Sequence, residues 1–113
     1  MGKIISIVNQ KGGVGKTTTT VNLGVSLSLE GKKILIIDFD QEANATITLG
    51  IKREQVQKDI VNFLFDEKIT TEHIVPTGVV NVDIICASLR ISMLEQMAND
   101  IDTKELMLHN KLE

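Results

Sequence analysis

The sequence is poor in the features that mark secreted, membrane-spanning and base-stacking proteins. Its one cysteine, Cys86, cannot form an internal disulfide, which is consistent with a reducing cytoplasm. Aromatic residues make up 3% of the chain, with no Trp or Tyr, so base-stacking surfaces are not expected. A net charge of -3 provides no overall positive field for nucleic acid. Apolar runs are too short to span a membrane, and the N-terminus lacks the apolar stretch of a secretory signal. These absences predict a soluble, globular, cytoplasmic protein.

What is present is an alternation of strand and helix patterns. The chain has 113 residues with 42% hydrophobic content, enough for one small domain. Apolar, β-branched runs at residues 3–8 and 33–38 predict two buried strands. Between them, apolar residues recur at helical spacing over residues 16–30, and Gly31 stands where a helix C′ glycine belongs. A strand–helix–strand step of about 30 residues is typical of a βαβ unit with parallel strands and a right-handed crossover.

The second half of the chain continues this α/β pattern. Residues 53–65 predict one or two amphipathic helices, and residues 72–76 a short edge strand ended by Pro76. Residues 82–86 predict a third strand. Two further helices are expected after it. The first is indicated by an apolar stripe of Leu89, Met93 and Met97, and the second by a capping box formed by Asp102 and Glu105.

A glycine-rich loop lies between the first predicted strand and the first predicted helix. Glycines at 12, 13 and 15 allow close approach of the backbone to an anion, and their N–H groups join those of the helix N-terminus. Lys16 adds a full charge for β- and γ-phosphates, and the Thr17 hydroxyl can ligate Mg²⁺. The usual phosphate-loop pattern fails at one place, because position 10 is Gln rather than Gly. The alternative, a glycine turn beside surface lysines, does not explain the strand–loop–helix setting.

The departure from the usual loop carries a family resemblance. Residues 11–18, Lys-Gly-Gly-Val-Gly-Lys-Thr-Thr, resemble the deviant Walker A motif of the ParA/MinD family of partition and positioning ATPases. The resemblance implies an ATP site made by Lys11, Gly12, Gly13, Val14, Gly15, Lys16, Thr17 and Thr18. It also implies that Lys11 crosses a dimer interface to the nucleotide of the other subunit, where a fixed cation stabilises charge on the leaving group. Taken alone, Lys11 is an ordinary solvated lysine.

A second motif resembles the first switch region of that family. Asp38-Phe-Asp40, followed by Asn44-Ala-Thr46, is similar to the family pattern D-x-D-P-Q-x-N-A-T. The resemblance implies that Asp40 orients the attacking water and touches the Mg²⁺ shell, with Asp38 supporting the loop. The alternative is that both aspartates end a strand in solvent. Where the family has Pro-Gln, this chain has Gln41-Glu42. The loss of proline loosens the switch, and Glu42 adds a negative charge near the phosphates. The resemblance therefore supports nucleotide binding more strongly than ATP hydrolysis.

The resemblance also implies a fold. It indicates a P-loop NTPase-like three-layer α/β/α domain with a mainly parallel, incomplete sheet. Residues 1–113 would be the N-terminal part of a ParA-type ATPase domain, truncated before the strand that carries Walker B. In the family that strand lies between the strands expected here at 3–8 and 33–38, so its absence would leave unpaired backbone groups.

Three functions remain open from the sequence. The first is a ParA-type ATPase of plasmid or chromosome partitioning, which dimerises on ATP, binds DNA nonspecifically and responds to a centromere-binding partner. The second is a MinD-like membrane-cycling ATPase, for which residues 103–113 are too short and too acidic to form the required amphipathic helix. The third is a non-enzymatic nucleotide-binding or dimerisation fragment, with ATPase activity belonging to a longer parent.

The two histidines and the cysteine are not expected to form a functional site. His73 and His109 lack a Cys or His partner at ligand spacing, so no metal site is expected from them. Cys86 lies in an apolar strand and is expected to pack as a small hydrophobic residue.

Overall fold

The computed structural model describes residues 2–5, 7, 14–40, 42–88, 90 and 110–112. Its helices are α1 (Val14–Leu29), α2 (Asn44–Thr48), a 3-10 helix (Arg53–Gln55) and α3 (Ile60–Phe65), and its strands are β1 (Ile34–Ile37), β2 (Val75–Pro76) and β3 (Val82–Ile85). None of the helices in the described ranges combines the length and apolarity needed to cross a membrane. The stripe of Leu89, Met93 and Met97 and the box of Asp102 and Glu105 lie outside the described residues.

Helix α1 ends as its sequence predicts. Gly31 adopts φ +87, the left-handed conformation that glycine accepts without steric cost. The Lys32 N–H donates to the Leu27 carbonyl at 3.2 Å, and the Gly31 N–H donates to the Ser28 carbonyl at 3.0 Å. These two bonds form a Schellman motif, which satisfies carbonyls that the last turn of a helix otherwise leaves without partners.

The sheet is mixed, with strand order β1-β3-β2. β1 and β3 are parallel, with Ile34 opposite Val82 and Ile37 opposite Ile85. β2 is antiparallel to β3 at the edge, where Pro76 lies opposite Asp83. An edge position suits Pro76 because proline has no N–H to donate to a further strand. The predicted strands at 33–38, 72–76 and 82–86 are therefore confirmed, with shorter bounds.

Helices cover both faces of this sheet, as the α/β/α prediction requires. Val82 and Ile84 of β3 and Cys86, the residue after it, point to one face, where they pack with Ile36 of β1. Helix α1 packs against both strands on that side. Ile85 points to the opposite face, where the buried side chains of α3 cover it: Ile60, Phe63 and Leu64. β3 thus supplies apolar side chains to both cores, which explains its nearly continuous apolar sequence.

Residues 53–65 form two separate helices rather than one. The 3-10 helix ends at Gln55, and α3 begins after Asp59. The Asp59 carboxylate accepts the N–H groups of Val61 and Asn62 at 2.9 and 3.2 Å, and the Asn62 side chain accepts the Asp59 N–H at 3.0 Å. This reciprocal capping fixes the start of α3 at Ile60.

The predicted first strand is wrong over its described residues. Residues 3–5 and 7 form no strand, and Ile4 and Ile5 are 66% and 63% exposed. The apolar pattern predicts a strand, but a strand exists only through pairing, and in the described chain β1 pairs with β3 alone. The expected βαβ unit around α1 therefore does not form in the described sheet. The parallel pair is instead β1 with β3, joined through α2, the 3-10 helix, α3 and β2.

Candidate functional site

The first turn of α1 carries the described part of the predicted phosphate loop. The helix begins at Val14, so the N–H groups of Val14, Gly15 and Lys16 have no partner within the helix, and Thr17 and Thr18 follow directly after them. Lys16 and Thr17 are half-buried, whereas Gly15 and Thr18 are exposed. A Cβ added at Gly15 would meet no atom of the described residues within 4 Å. Free N–H groups, the positive end of the helix dipole and Lys16 together favour an anion. Lys11, Gly12 and Gly13 lie outside the described residues.

Asp38 follows β1 directly and is held firmly. Its carboxylate is 4% exposed and accepts three hydrogen bonds. Oδ1 accepts the Asp40 N–H at 3.0 Å, while Oδ2 accepts the Thr46 N–H at 2.9 Å and the Thr46 hydroxyl at 2.7 Å. These contacts agree with the loop-supporting role expected of Asp38. The alternative, that Asp38 ends its strand in solvent, is wrong because the carboxylate is buried.

Asp40 is half-buried and organises the loop after β1. Its Oδ1 accepts the Glu42 N–H at 3.0 Å, and its Oδ2 accepts the side-chain amide of Asn44 at 2.7 Å and the Asn44 N–H at 3.4 Å. An ionised carboxylate has about four acceptor positions, so these bonds leave roughly one for water or a hydrated ion. Glu42 is exposed, with its carboxylate 3.5 Å from the same Asn44 amide. Gln41 lies outside the described residues.

The turn into α2 contains an unusual backbone conformation. Ala43 has φ +58 and ψ +37, and its N–H donates to the Asp40 carbonyl at 2.8 Å. A left-handed conformation at a residue with a Cβ costs on the order of 1 kcal/mol or more. The bonds from Asp38 and Asp40 to the residues on either side of Ala43 hold it there. The sequence gives no signal for this conformation, because alanine is not a residue that favours it.

Thr46 joins this loop to the other parallel strand. Its hydroxyl accepts the Ala87 N–H at 3.2 Å while donating to Asp38. Ala87 lies just beyond the carboxyl end of β3, as Asp38 does for β1. Helix α1 packs against α2, which brings the helix that opens with Lys16 and Thr17 beside the one that contains Thr46. Ligands of open α/β sheets bind in this position, outside the carboxyl ends of parallel strands. Thr46 lies within a motif of the sequence, but the motif gives no signal for this bridging role.

Cys86 packs in the core beneath this site, as predicted. Burial raises the pKa of its thiol to about 11, and the negative charges of Asp38 and Asp59 act in the same direction. A buried thiol with a raised pKa is a poor nucleophile at neutral pH. Cys86 therefore acts as a small apolar residue of the core that it forms with Ile36, Val82 and Ile84.

His73 has a structural role that sequence analysis missed. It is fully buried, and its Nδ1 accepts the Thr70 N–H at 3.0 Å. Its Nε2 therefore carries the proton and donates to Asp66 at 2.9 Å. The ring meets Phe63 edge-on, with centroids 6.3 Å apart. The hydrogen bond from His73 is the main cause that lowers the pKa of Asp66, and the hydrogen bond from Lys58 lowers it further. His109 lies outside the described residues.

The fold and the site define a class of protein. Helices cover both faces of a sheet with a parallel pair, and the helix whose first turn contains Gly15, Lys16 and Thr17 packs on α2, which follows the two aspartates after β1. These are features of an α/β nucleotide-binding domain. Comparison with known proteins agrees, since a family model described as an AAA domain matches residues 2–113.

Two curated relatives and one solved structure identify the family more closely. The sporulation initiation inhibitor protein Soj of Bacillus subtilis (strain 168) is 42% identical over 113 residues, which are all of this chain and 45% of Soj. The chromosome partitioning protein ParA of Caulobacter vibrioides is 35% identical over 111 residues, covering 98% of this chain and 42% of that protein. The crystal structure of cobyrinic acid a,c-diamide synthase from Mycobacterium smegmatis with bound ATP analog and magnesium has a TM-score of 0.79 at 27% identity, covering 93% of this chain and 43% of that one.

The chain belongs to the ParA/MinD family of P-loop ATPases and corresponds to the N-terminal part of its members. It spans somewhat less than half the length of the curated relatives it matches. The recognised family and the α/β/α architecture of a partial domain are thereby confirmed. The matched cobyrinic acid a,c-diamide synthase itself holds a bound ATP analog and magnesium.

Proposed function

We propose that this chain binds ATP with Mg²⁺ and that it acts, in the whole protein, as a ParA-type ATPase of chromosome or plasmid partitioning. One observation carries the proposal. The first turn of α1, with Lys16 and Thr17, opens a helix that packs on α2, and α2 is tied to Asp38 and Asp40 at the end of β1. The groups proposed to bind phosphate and metal are thus attached to neighbouring elements.

The residues present fit a magnesium nucleotide. Mg²⁺ prefers oxygen ligands and keeps several waters, so one hydroxyl with one nearby carboxylate is a suitable protein contribution. Thr17 would provide the hydroxyl. The hydroxyl of Thr20, one helical turn further on, instead donates to the Lys16 carbonyl at 2.9 Å. When bound, the metal would supply positive charge that offsets the charge of the phosphates.

Each side chain of the site has a proposed task. Gly15, Lys16, Thr17 and Thr18 would hold the phosphates through backbone N–H groups and the lysine charge, together with Lys11, Gly12, Gly13 and Val14. Asp40 would accept a hydrogen bond from a water of the metal shell, or from the attacking water, with its remaining acceptor position. Asp38 would keep Asp40 in place. Lys11 would act on the nucleotide of a second subunit, which makes turnover depend on dimerisation.

The proposed partners follow from the family. The name of the Caulobacter relative includes chromosome partitioning. For the whole protein we therefore propose ATP-dependent homodimers, nonspecific DNA binding, stimulation by a centromere-binding protein, and a cytoplasmic, nucleoid-associated location.

A second candidate is a non-enzymatic nucleotide-binding unit. Asp40 uses most of its acceptor capacity within its own loop, and the exposed Glu42 carboxylate lies near the same Asn44 amide. Both features favour a stable loop that binds nucleotide over one that readily aligns water for hydrolysis. The chain also covers less than half of its matched relatives. Under this alternative, binding is retained and turnover is absent.

Titration of the 113-residue chain with a fluorescent ATP analogue and Mg²⁺ tests the proposal. Lys16→Ala is the test variant. Lys32→Ala is the matched control, because Lys32 is exposed beyond the opposite end of α1 and contributes only its backbone to the helix cap. We expect saturable binding by the wild type and the control, and loss of binding in Lys16→Ala. Equal binding by all three proteins would place the nucleotide elsewhere. No binding by a wild type with a folded far-UV spectrum would refute the proposal for this chain.

Hydrolysis is measured separately, as phosphate release at increasing protein concentration. If Lys11 acts across a dimer, we expect Lys11→Ala to bind the analogue but to lose phosphate release. Binding without release in the wild type as well would favour the non-enzymatic candidate.

A further inference from the structure

The hydroxyl of Thr46 donates one hydrogen bond and accepts another, with partners in two different segments of the chain. It donates to Asp38 at 2.7 Å and accepts the N–H of Ala87 at 3.2 Å, a residue 41 positions away in sequence. Thr46 is 5% exposed, so water has little access to replace either bond. A buried hydroxyl in this position is a bridge between two segments rather than a local turn or cap.

On one side the bridge continues into the proposed nucleotide site. The Asp38 carboxylate accepts the Asp40 N–H at 3.0 Å, and the Asp40 carboxylate accepts the side-chain amide of Asn44. A displacement of Asp40 toward a metal or a water would therefore act on the carboxylate that Thr46 contacts.

On the other side the bridge continues into the segment that leaves β3. The hydroxyl of Ser88, a buried residue, accepts the Arg90 N–H at 3.0 Å. The Arg90 guanidinium contacts Asp59 at 3.1 Å and Asn62 at 3.2 Å. The Cys86 carbonyl accepts the Ile60 N–H at 2.8 Å, so the same segment is also fixed to α3 through the backbone.

We propose that Thr46 is a positioning residue whose hydroxyl couples the Asp38–Asp40 loop to residues 86–88 and Arg90. Nucleotide binding at the loop then changes the segment after β3, and disruption of that segment weakens nucleotide binding. The nucleotide part of this inference rests on the proposed function, whereas the link between the loop and Ala87 does not.

Two variants separate the hydroxyl from the shape of the side chain. Thr46→Val keeps nearly the same volume and makes neither bond, whereas Thr46→Ser keeps the hydroxyl and can make both. Thr48→Val is the matched control, since Thr48 is an exposed residue of the same helix. Loss of one such bond corresponds to about a tenfold change in an equilibrium.

The first measurement is amide hydrogen exchange of the chain without nucleotide. In Thr46→Val we expect exchange at Ala87 and Asp40 to accelerate about tenfold while Ile84 and Ile85 in β3 stay protected. Thr46→Ser and Thr48→Val should resemble the wild type. Asp38→Ala should also accelerate exchange at Ala87, because it removes the acceptor that orients the Thr46 hydroxyl. Unchanged exchange at Ala87 in both Thr46→Val and Asp38→Ala would overturn the proposal, as would failure of Thr46→Ser to restore protection.

The second measurement adds the fluorescent ATP analogue and Mg²⁺. We expect the dissociation constant to rise about tenfold in Thr46→Val and to recover in Thr46→Ser. In the wild type, the analogue should alter exchange at Ala87 and Arg90. If the wild type binds the analogue and exchange at both residues is unchanged, the coupling is refuted even when Thr46→Val does not fold. If the wild type does not bind, the proposed function fails, and exchange at Ala87 in the variants still decides the link.

Discussion

Removal of the Asp38 carboxylate is the sharpest perturbation of the candidate site. In Asp38→Ala, three donors lose their acceptor: the N–H of Asp40 and the N–H and hydroxyl of Thr46. Asp40 is half-buried, so water can reach its N–H, but both Thr46 donors stay buried. A buried donor without a partner costs about 1–3 kcal/mol, so we expect a loss of roughly 2–5 kcal/mol in the free energy of unfolding.

Asp38→Asn should be milder. Its amide oxygen can take the position of Oδ2 and still accept both Thr46 donors, so only the half-buried Asp40 N–H faces an NH₂ group. We expect a loss of about 1–2 kcal/mol, from this mismatch and from the missing charge on the remaining bonds.

Urea unfolding followed by far-UV circular dichroism measures both losses. With a slope of about 1–3 kcal/mol/M, the midpoint of Asp38→Ala should fall by on the order of 1–2 M without a change of slope. Asp83→Ala is the matched control, because Asp83 is an exposed aspartate on β3, and its removal should cost less than about 0.5 kcal/mol. If the free energy of unfolding of Asp38→Ala lies within about 0.5 kcal/mol of the wild-type value, the carboxylate does not hold the loop and does not position Thr46.

Three further predictions concern the rest of the domain. Because burial raises the pKa of Cys86 from 9.0 to about 11, its thiolate fraction near pH 8 should be roughly 100-fold below that of an ordinary thiol. A disulfide reagent should therefore label it only as urea unfolds the chain, and rapid stoichiometric labelling of the native protein would contradict its burial. The pKa of Asp66 is below 3.8 in the folded state, so its charge stabilises the fold above that pH, and the contribution is lost as the pH falls through the folded value. The stability difference between wild type and Asp66→Asn should accordingly shrink as the pH falls below 3.8 in urea titrations, and a constant difference would refute the linkage. At Gly24, an added Cβ would lie 3.2 Å from Ile36 Cδ1 and 3.5 Å from Ile34 Cγ2. Gly24→Ala should be nearly neutral in thermal melts, since better helix propensity offsets the tight contact, while Gly24→Val should cost about 1–3 kcal/mol. Equal stability of the two variants would mean that α1 is not packed closely on β1.

The local elements of this protein were predictable because their signals are local. Gly31 marks the end of α1 since it is the residue that accepts a positive φ, and Pro76 marks an edge strand since it lacks an N–H. The apolar run of β3 reflects burial on both faces. The family motifs at residues 11–18 and 38–46 likewise gave the site candidates from sequence alone. Of these, the nucleotide roles of Lys11, Lys16, Thr17 and Asp40 remain proposals.

The sequence could not determine pairing and long-range contacts, because these depend on what the rest of the chain places alongside. Residues 3–5 have the composition of a strand, yet they are exposed without a partner strand in the described chain. The burial of Asp38 depends on donors from Thr46, and the second bond of Thr46 reaches Ala87 across 41 residues. Sequence therefore determined which groups are available for the site, and the packing of α2 and β3 decided which carboxylate is a buried support and which one remains available to solvent.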